Sequence, residues 1–186
     1  MGTREVSVKP LVLLLLLLGA GVACAADDHS DHQQSPSGGC DAFTWNMARE
    51  FNLLRATPFA LEAVATRDTE AKFTPLDRRL DLTLKPAGEV KLLVPPGREA
   101  GAGSYAGLLP LLVPRISTYR ISSDQRLWID VVGPAGVVKS SKFDMQAGCD
   151  KLRKSVAFRL EPETQYWIQV SGSPLSNPVL LITLDH

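Results

Sequence analysis

The chain has 186 residues, 45% of them hydrophobic and 22% charged, with 20 basic and 20 acidic side chains. This length predicts a single domain, and a net charge near zero gives no electrostatic reason to bind nucleic acid or an anionic membrane. The composition also excludes a chain that is disordered throughout, a coiled coil, a collagen and a multi-span membrane protein.

Residues 1–25 have the three-part pattern of a secretory signal peptide. Arg4 and Lys9 supply positive charge, residues 11–18 are apolar, and a stretch of small residues follows. The apolar run is far shorter than the ~20 residues of a membrane-spanning helix. The pattern therefore predicts cleavage before Ala26 and export to the periplasm, with no membrane span in the mature protein. A retained anchor helix is the alternative.

The cysteines are Cys24, Cys40 and Cys149. Cys24 is expected to be removed with the signal peptide. The alternative is a lipoprotein in which Cys24 is acylated. Gly21 disfavours this alternative, because a Leu-like residue is expected at that position. The remaining pair, in an oxidising compartment, predicts a disulfide between Cys40 and Cys149. Two unrelated free cysteines remain the alternative.

Residues 26–39 are polar or small and predict a flexible tail, so the folded domain is expected to span residues 40–186. A helix of about three turns is predicted at the start of this domain, capped by Asp41 and ending before Pro58. Its apolar stripe recurs at three- and four-residue spacing and consists of Phe43, Met47, Phe51 and Leu54.

The rest of the domain has the period of β-strands. Apolar and polar residues alternate in most segments, as in residues 80–84 and 127–132, and turn residues separate them. Residues 90–94 and 108–113 are apolar runs, the second broken by Pro110. About eight strands at this spacing predict an antiparallel β-sandwich or jelly roll rather than an α/β fold.

Histidine placement limits the chemistry of the domain. His29 and His32 lie in the tail and His186 is the last residue, so residues 40–185 contain no histidine. A histidine-based triad and a histidine-ligated iron or zinc site are excluded there. No catalytic residue and no cofactor are predicted. One enzymatic alternative remains, a polysaccharide hydrolase using two of the carboxylates Asp124, Asp130, Glu161 and Glu163.

The tail carries a second alternative. If cleavage fell one residue later, the mature chain would begin Asp27-Asp28-His29. A free amine, two amides and an imidazole form a square-planar nitrogen set that suits Cu(II) or Ni(II). Cleavage before Ala26 removes this geometry, and a solvated tail is the simpler interpretation.

Three residues of the strand region mark a possible ligand-binding surface. Trp128 and Trp167 are out of phase with their apolar neighbours, and Asp130 follows Trp128 on the same side of its strand. Two exposed tryptophans on one sheet could stack on sugar rings, whereas ordinary packing beneath a loop is the alternative. A basic bias after residue 119 is interpreted as a solvated face; it comprises Arg120, Lys139, Lys142, Lys151, Arg153 and Lys154.

The order of several motifs resembles a family of small exported proteins of Gram-negative bacteria, mainly soil and plant-associated proteobacteria. These motifs are Cys40-Asp41-x-Phe43-x-Trp45, Gly107, Tyr119, Trp128-Ile129-Asp130-Val131, Cys149 and Lys154-Ser155-Val156-x-Phe158. The resemblance covers residues 40–170 and departs at Ala157, where relatives often have arginine. It implies a Cys40–Cys149 pair and a periplasmic location, and it transfers no catalytic residue.

Some members of that family carry the label homogentisate 1,2-dioxygenase. That enzyme is a larger cytoplasmic iron protein, and the domain here lacks the internal histidines that iron would need, so the label is rejected. The sequence as a whole predicts an exported, non-catalytic cell-envelope module that binds a protein or a glycan partner.

Overall fold

The computed structural model describes residues 38–185 together with Gly2. The rest of the predicted signal segment, with Cys24, most of the predicted tail, with His29 and His32, and His186 lie outside the described residues. Residues 38–185 are mostly β. Their elements are a 3-10 helix (Cys40–Ala42), α1 (Ala48–Leu53), β1 (Phe59–Glu62), β2 (Arg79–Thr83), β3 (Lys85–Pro86), a 3-10 helix (Ala87–Glu89), β4 (Tyr105–Leu111), β5 (Ser117–Ser123), β6 (Trp128–Gly133), β7 (Gly136–Val138), β8 (Ser140–Met145), β9 (Lys154–Leu160), β10 (Tyr166–Ser173) and β11 (Val179–Leu184).

These strands form two sheets. The six-stranded sheet has the order β1-β2-β11-β5-β9-β8, and the five-stranded sheet has the order β3-β4-β10-β6-β7. Neighbouring strands are antiparallel except β1 and β2, which are parallel. The prediction of a mostly antiparallel β protein is confirmed. Strand β3 was not predicted, because two residues are too few to show a period.

Strands of both sheets contribute to one apolar cluster. Ile121 and Phe158 come from the six-stranded sheet, and Ile129, Val131 and Ile168 come from the five-stranded sheet. Successive residues of a strand point to opposite faces, so each sheet also presents a second face away from this cluster. Segments outside the sheets cover parts of both of these outer faces.

Residues 40–54, here named the N-terminal cover, lie over the outer face of the six-stranded sheet. Phe43 and Met47 pack with Cys149, Leu152 and Leu181 in a second apolar cluster. Cys40 and Cys149 form a disulfide that joins the start of the cover to the loop before β9. The predicted disulfide is therefore confirmed.

A buried polar network also holds the cover to this sheet. Glu50 is fully buried, and its Oε1 lies 3.0 Å from Nη2 of Arg120, which is 6% exposed. The Thr183 hydroxyl donates to the same Oε1 at 2.6 Å, and Arg120 Nη1 donates to the carbonyl of Asn46 at 3.2 Å. The solvated position predicted for Arg120 is wrong, because this arginine is the charge partner of a carboxylate brought in by the cover.

The first helix is shorter than predicted. It comprises the six residues Ala48–Leu53 instead of about three turns from Asp41. Asp41 lies in the preceding 3-10 helix, so it does not cap α1. The Asn46 side chain accepts the Ala48 N–H at 2.9 Å near the start of the helix.

Two apolar runs have structures that differ from those that the sequence pattern predicts. Residues 90–94 form no strand, because the backbone groups of Leu93 and Val94 bond to a side chain instead, as described below. Pro110 does not break its run but lies within β4. The Pro110 carbonyl accepts bonds from Thr74 N and Oγ1 at 2.8 and 2.7 Å. The Pro110 nitrogen, which has no hydrogen to donate, points to the same side of the strand as its carbonyl. Strand β3 does not extend to this position, so the sheet loses no backbone hydrogen bond at Pro110.

Candidate functional site

The three residues of the predicted surface lie on one face of the five-stranded sheet. Trp128 and Asp130 are on β6 and Trp167 is on β10, and these strands are neighbours. Ile129 and Ile168, which alternate with them, are in the core. The phase of the tryptophans was therefore predicted correctly, and the three side chains share the outer face.

Trp128 and Asp130 are brought together with a third side chain, Gln169. Trp128 Nε1 donates to Asp130 Oδ1 at 2.9 Å, and Gln169 Nε2 donates to Asp130 Oδ2 at 3.1 Å. Gln169 lies opposite Asp130 in the register of β10 and β6. The sequence contained a signal for Gln169, because it follows Trp167 at a spacing of two on the same face.

Residues 91–97, here named the strap, run over the middle of this face. Gln169 Oε1 accepts the N–H groups of Leu93 and Val94 at 2.7 and 3.3 Å, and Gln169 Nε2 donates to the Val94 carbonyl at 3.0 Å. A Cβ added at Gly97 would lie 2.4 Å from Trp128 Cζ2, so the strap also sits directly on the indole. Trp128 is consequently only partly exposed.

Lys154 reaches this group from the other sheet. Its Nζ donates to the Leu127 carbonyl at 3.1 Å and lies 4.8 Å from the centroid of the Trp128 ring. Only 7% of Lys154 is exposed, so the solvated position predicted for it is wrong. Its long side chain spans the end of the core between the sheets. The run of basic residues in which Lys154 lies did not predict this buried position.

Burial shifts the titration of both charged groups in this cluster. It lowers the pKa of Lys154 from 10.5 to about 8, and the negative charge of Asp130 opposes that shift. Burial also raises the pKa of Asp130, although hydrogen bonds from Trp128 and Gln169 and the charge of Lys154 act in the other direction. Desolvation therefore dominates at both groups.

Trp167 lines a separate cleft on the other side of the strap. The cleft has a volume of about 520 Å³. Its lining includes the oppositely charged residues Arg67 and Asp68, together with Gln165 and, from the strap, Leu93. The complete lining is Arg67, Asp68, Leu93, Val132, Gly133, Pro134, Gln165 and Trp167. This volume lies within the range that small-ligand sites usually have.

The two tryptophans do not form one open platform. Trp167 lies opposite Val132 and Trp128 lies opposite Ser171, so four strand positions separate them. At about 3.3 Å per residue this is ~13 Å. The strap occupies the space between them, with Leu93 at the edge of the cleft and Gly97 on Trp128.

The other carboxylates of the hydrolase alternative have different surroundings. Asp124 Oδ1 accepts the Val179 N–H at 2.8 Å, and burial raises the pKa of Asp124. Glu161 and Glu163 are exposed beside the turn between β9 and β10. Asp130 already accepts bonds from Trp128 and Gln169 beneath the strap.

Among the described residues, one group of three possible metal ligands lies close together, namely Cys40, Cys149 and Asp150, with ligand atoms within 4.8 Å of one another. The two sulfurs are joined in the disulfide and are not free thiolates. The copper or nickel set that begins at Asp27 lies outside the described residues and stays a prediction.

No family model, curated protein or solved structure matches this chain. Within the described part of the chain, no helix is both long enough and apolar enough to cross a membrane.

Proposed function

We propose that this chain is an exported, periplasmic β-sandwich module that binds a glycan of the cell envelope without catalysis. The observation that supports this most is the cleft of about 520 Å³ beside Trp167. An indole at the wall of such a cleft offers a flat apolar surface to a sugar ring. Arg67, Asp68 and Gln165 supply both donors and acceptors around it.

The proposed location depends on the N-terminus and on the cysteines. Residues 1–25 have the charge and hydropathy pattern of a secretory signal. A structural disulfide between Cys40 and Cys149 is typical of an oxidising compartment. Two sheets that share one apolar cluster support the sandwich architecture.

A binding role is favoured over hydrolysis by the position of the carboxylates. A glycosidase needs two carboxyl groups facing each other across the bound sugar, ~5–9.5 Å apart. Asp130 lies beneath the strap and is bonded to Trp128 and Gln169. Among the residues that line the Trp167 cleft, Asp68 is the single carboxylate, so the lining lacks the facing pair that a glycosidase needs.

The proposal is tested with the variant Trp167→Ala. The probes are oligosaccharides released from the envelope polysaccharides of the source organism by partial hydrolysis, and binding is measured by titration calorimetry. Loss of the indole should weaken binding at least tenfold. Phe73→Ala is the matched control, because Phe73 is 50% exposed and lies outside the cleft lining.

The same titration identifies the alternatives. Binding that is equal in the wild type and Trp167→Ala would contradict the cleft as the glycan site. Release of shorter sugars from the probe would indicate the hydrolase instead. Absence of any binding to envelope oligosaccharides would refute the glycan proposal and favour a protein partner.

A further inference from the structure

The layer between the strap and the five-stranded sheet is unusually polar for a buried contact. Gln169 is fully buried there and Ser171 is 1% exposed. Asp130 and the indole N–H of Trp128 complete the group on the outer face. A loop whose only role is to shield a sheet would be expected to cover apolar side chains.

The partners of these polar groups come largely from the strap backbone. Gln169 bonds to both Leu93 and Val94, using its oxygen and its nitrogen. The hydroxyl of Ser171 has no hydrogen-bond partner among the described residues although it is buried. A buried hydroxyl without a partner favours any state in which a new donor or acceptor reaches it.

The strap can move away without opening the apolar core. Residues 91–97 belong to no strand, and the core side chains Ile129, Val131 and Ile168 point to the opposite side of the sheet. Lys91 is held by its N–H to the Ala65 carbonyl at 2.8 Å, which keeps one end of the strap in place. Displacing the remainder would expose polar groups that water or a polar ligand can satisfy, together with the Trp128 ring beneath Gly97.

The covered face is continuous with the Trp167 cleft. Leu93 lines the cleft, and its N–H is bonded to Gln169 beneath the strap. Displacing the strap would therefore join the cleft to Trp128 over the ~13 Å that four strand positions span.

We infer that the strap covers a second sugar subsite, formed by Trp128, Asp130, Gln169 and Ser171, and that a linear neutral oligosaccharide displaces it. Sugar hydroxyls both donate and accept, so they can replace the backbone groups that Gln169 now bonds and can reach Asp130 and Ser171. The Trp128 ring supplies the apolar surface for a second sugar ring. This inference rests on the proposed glycan function.

The test uses a size-fractionated series of the same envelope oligosaccharides, from one to six sugar units, titrated into four forms of the protein. Gly97→Ala breaks the contact between the strap and Trp128, because the new Cβ would lie 2.4 Å from the indole and one of the two has to shift. Gly101→Ala is the matched control, since nothing lies within 4 Å of a Cβ there. Trp128→Ala removes the proposed second ring surface.

Wild-type affinity should increase with oligomer length until both tryptophans are spanned. Gly97→Ala should bind the long oligomers at least fivefold more tightly than the wild type and the shortest equally well, while Gly101→Ala should match the wild type. Trp128→Ala should retain binding of the shortest oligomer and lose the dependence on length.

Two outcomes separate this inference from the function on which it rests. If all lengths bind equally in the wild type and in Gly97→Ala, while Trp167→Ala in the earlier titration weakens binding at least tenfold, the second subsite is refuted and the glycan function remains. If no form binds any oligomer, both are refuted. Displacement of the strap by an extended peptide but by no oligosaccharide would also overturn the inference.

Discussion

The outer faces of the two sheets are covered in opposite ways. The N-terminal cover places Phe43 and Met47 against apolar side chains and is tied down by the Cys40–Cys149 disulfide. The strap lies on polar side chains, and its central bonds are to the amide of Gln169. One cover adds apolar burial, the buried Glu50–Arg120 ion pair and a covalent tether to the fold, whereas we infer that the other is exchanged for a polar ligand. We therefore expect the N-terminal cover to stabilise the fold and the strap to be the segment that moves.

The largest expected effect comes from cutting the tether of the N-terminal cover. Replacing Cys40 and Cys149 together by serine opens a loop with a sequence separation of 109. The chain-entropy model predicts a loss of about 4.7 kcal/mol in the free energy of unfolding for a loop of this size. Urea unfolding of the double variant measures it, and the wild type unfolded under reducing conditions is the control. A loss below about 1 kcal/mol would contradict the tethering role.

Breaking the buried ion pair under the same cover should have the next largest effect. Arg120→Met leaves the fully buried Glu50 without its charge partner, and such losses cost about 3–5 kcal/mol. Adding Glu50→Leu should recover most of this loss, since no buried charge is then left unpaired. Arg49→Met is the control, because its ion pair with Asp77 is partly exposed and is worth about 0–1 kcal/mol. An Arg120→Met variant as stable as this control would refute the network.

On the strap side, the expected effect is a dependence of stability on pH. The unfolded chain keeps the Lys154 proton up to about pH 10.4, whereas the folded chain releases it near pH 8. Between these values the unfolded state binds more protons, so the free energy of unfolding should increase with pH, by at most about 3 kcal/mol.

Lys154→Met isolates this contribution from the other titrating groups of the chain. Methionine keeps an apolar stem beside Trp128 and removes the buried charge. Urea unfolding of both proteins from pH 7.5 to 10.5 should give curves that converge as the pH rises, with the variant relatively more stable at the lower end. Parallel curves would mean that Lys154 titrates normally in the folded state.

The smallest expected effect is a difference in local opening between the two covers. The N–H groups of Leu93 and Val94 donate to Gln169 in the strap, and the N–H of Thr44 donates to Asp144 Oδ2 at 2.7 Å in the N-terminal cover. The strap amides should exchange with deuterium at least about tenfold faster, a difference of about 1.4 kcal/mol in opening free energy. Equal protection in native-state hydrogen exchange would remove the contrast.

Much of the fold could be predicted because most of the long strands have one face in the core. Strands such as β6 and β10 therefore show period two, and the phase placed Trp128 and Trp167 on the outer face. Residues 90–94, most of which belong to the strap, were interpreted as a strand because they are as apolar as one. Only the tertiary structure shows that a glutamine 75 residues away bonds its backbone groups.

The candidate site was only partly predictable for the same reason. Trp128 and Asp130 are two residues apart on one strand, so their bond follows from local spacing. Lys154 and Gln169 join them from strands that lie later in the chain. A single sequence does not show which strands pair, so these contacts could not be predicted. The disulfide was predictable because Cys40 and Cys149 are the two cysteines that remain once the predicted signal segment is set aside, and an oxidising compartment would pair them.

The central position of β11 constrains the order in which this molecule can acquire its structure. Val179–Leu184 lies between β2 and β5, so the six-stranded sheet cannot close until its last strand in sequence order is present. During synthesis from the N-terminus, β2 therefore cannot be joined to β5 until every other strand of both sheets has been made. Closure of this sheet is then governed by the arrival of β11 rather than by stepwise addition of strands.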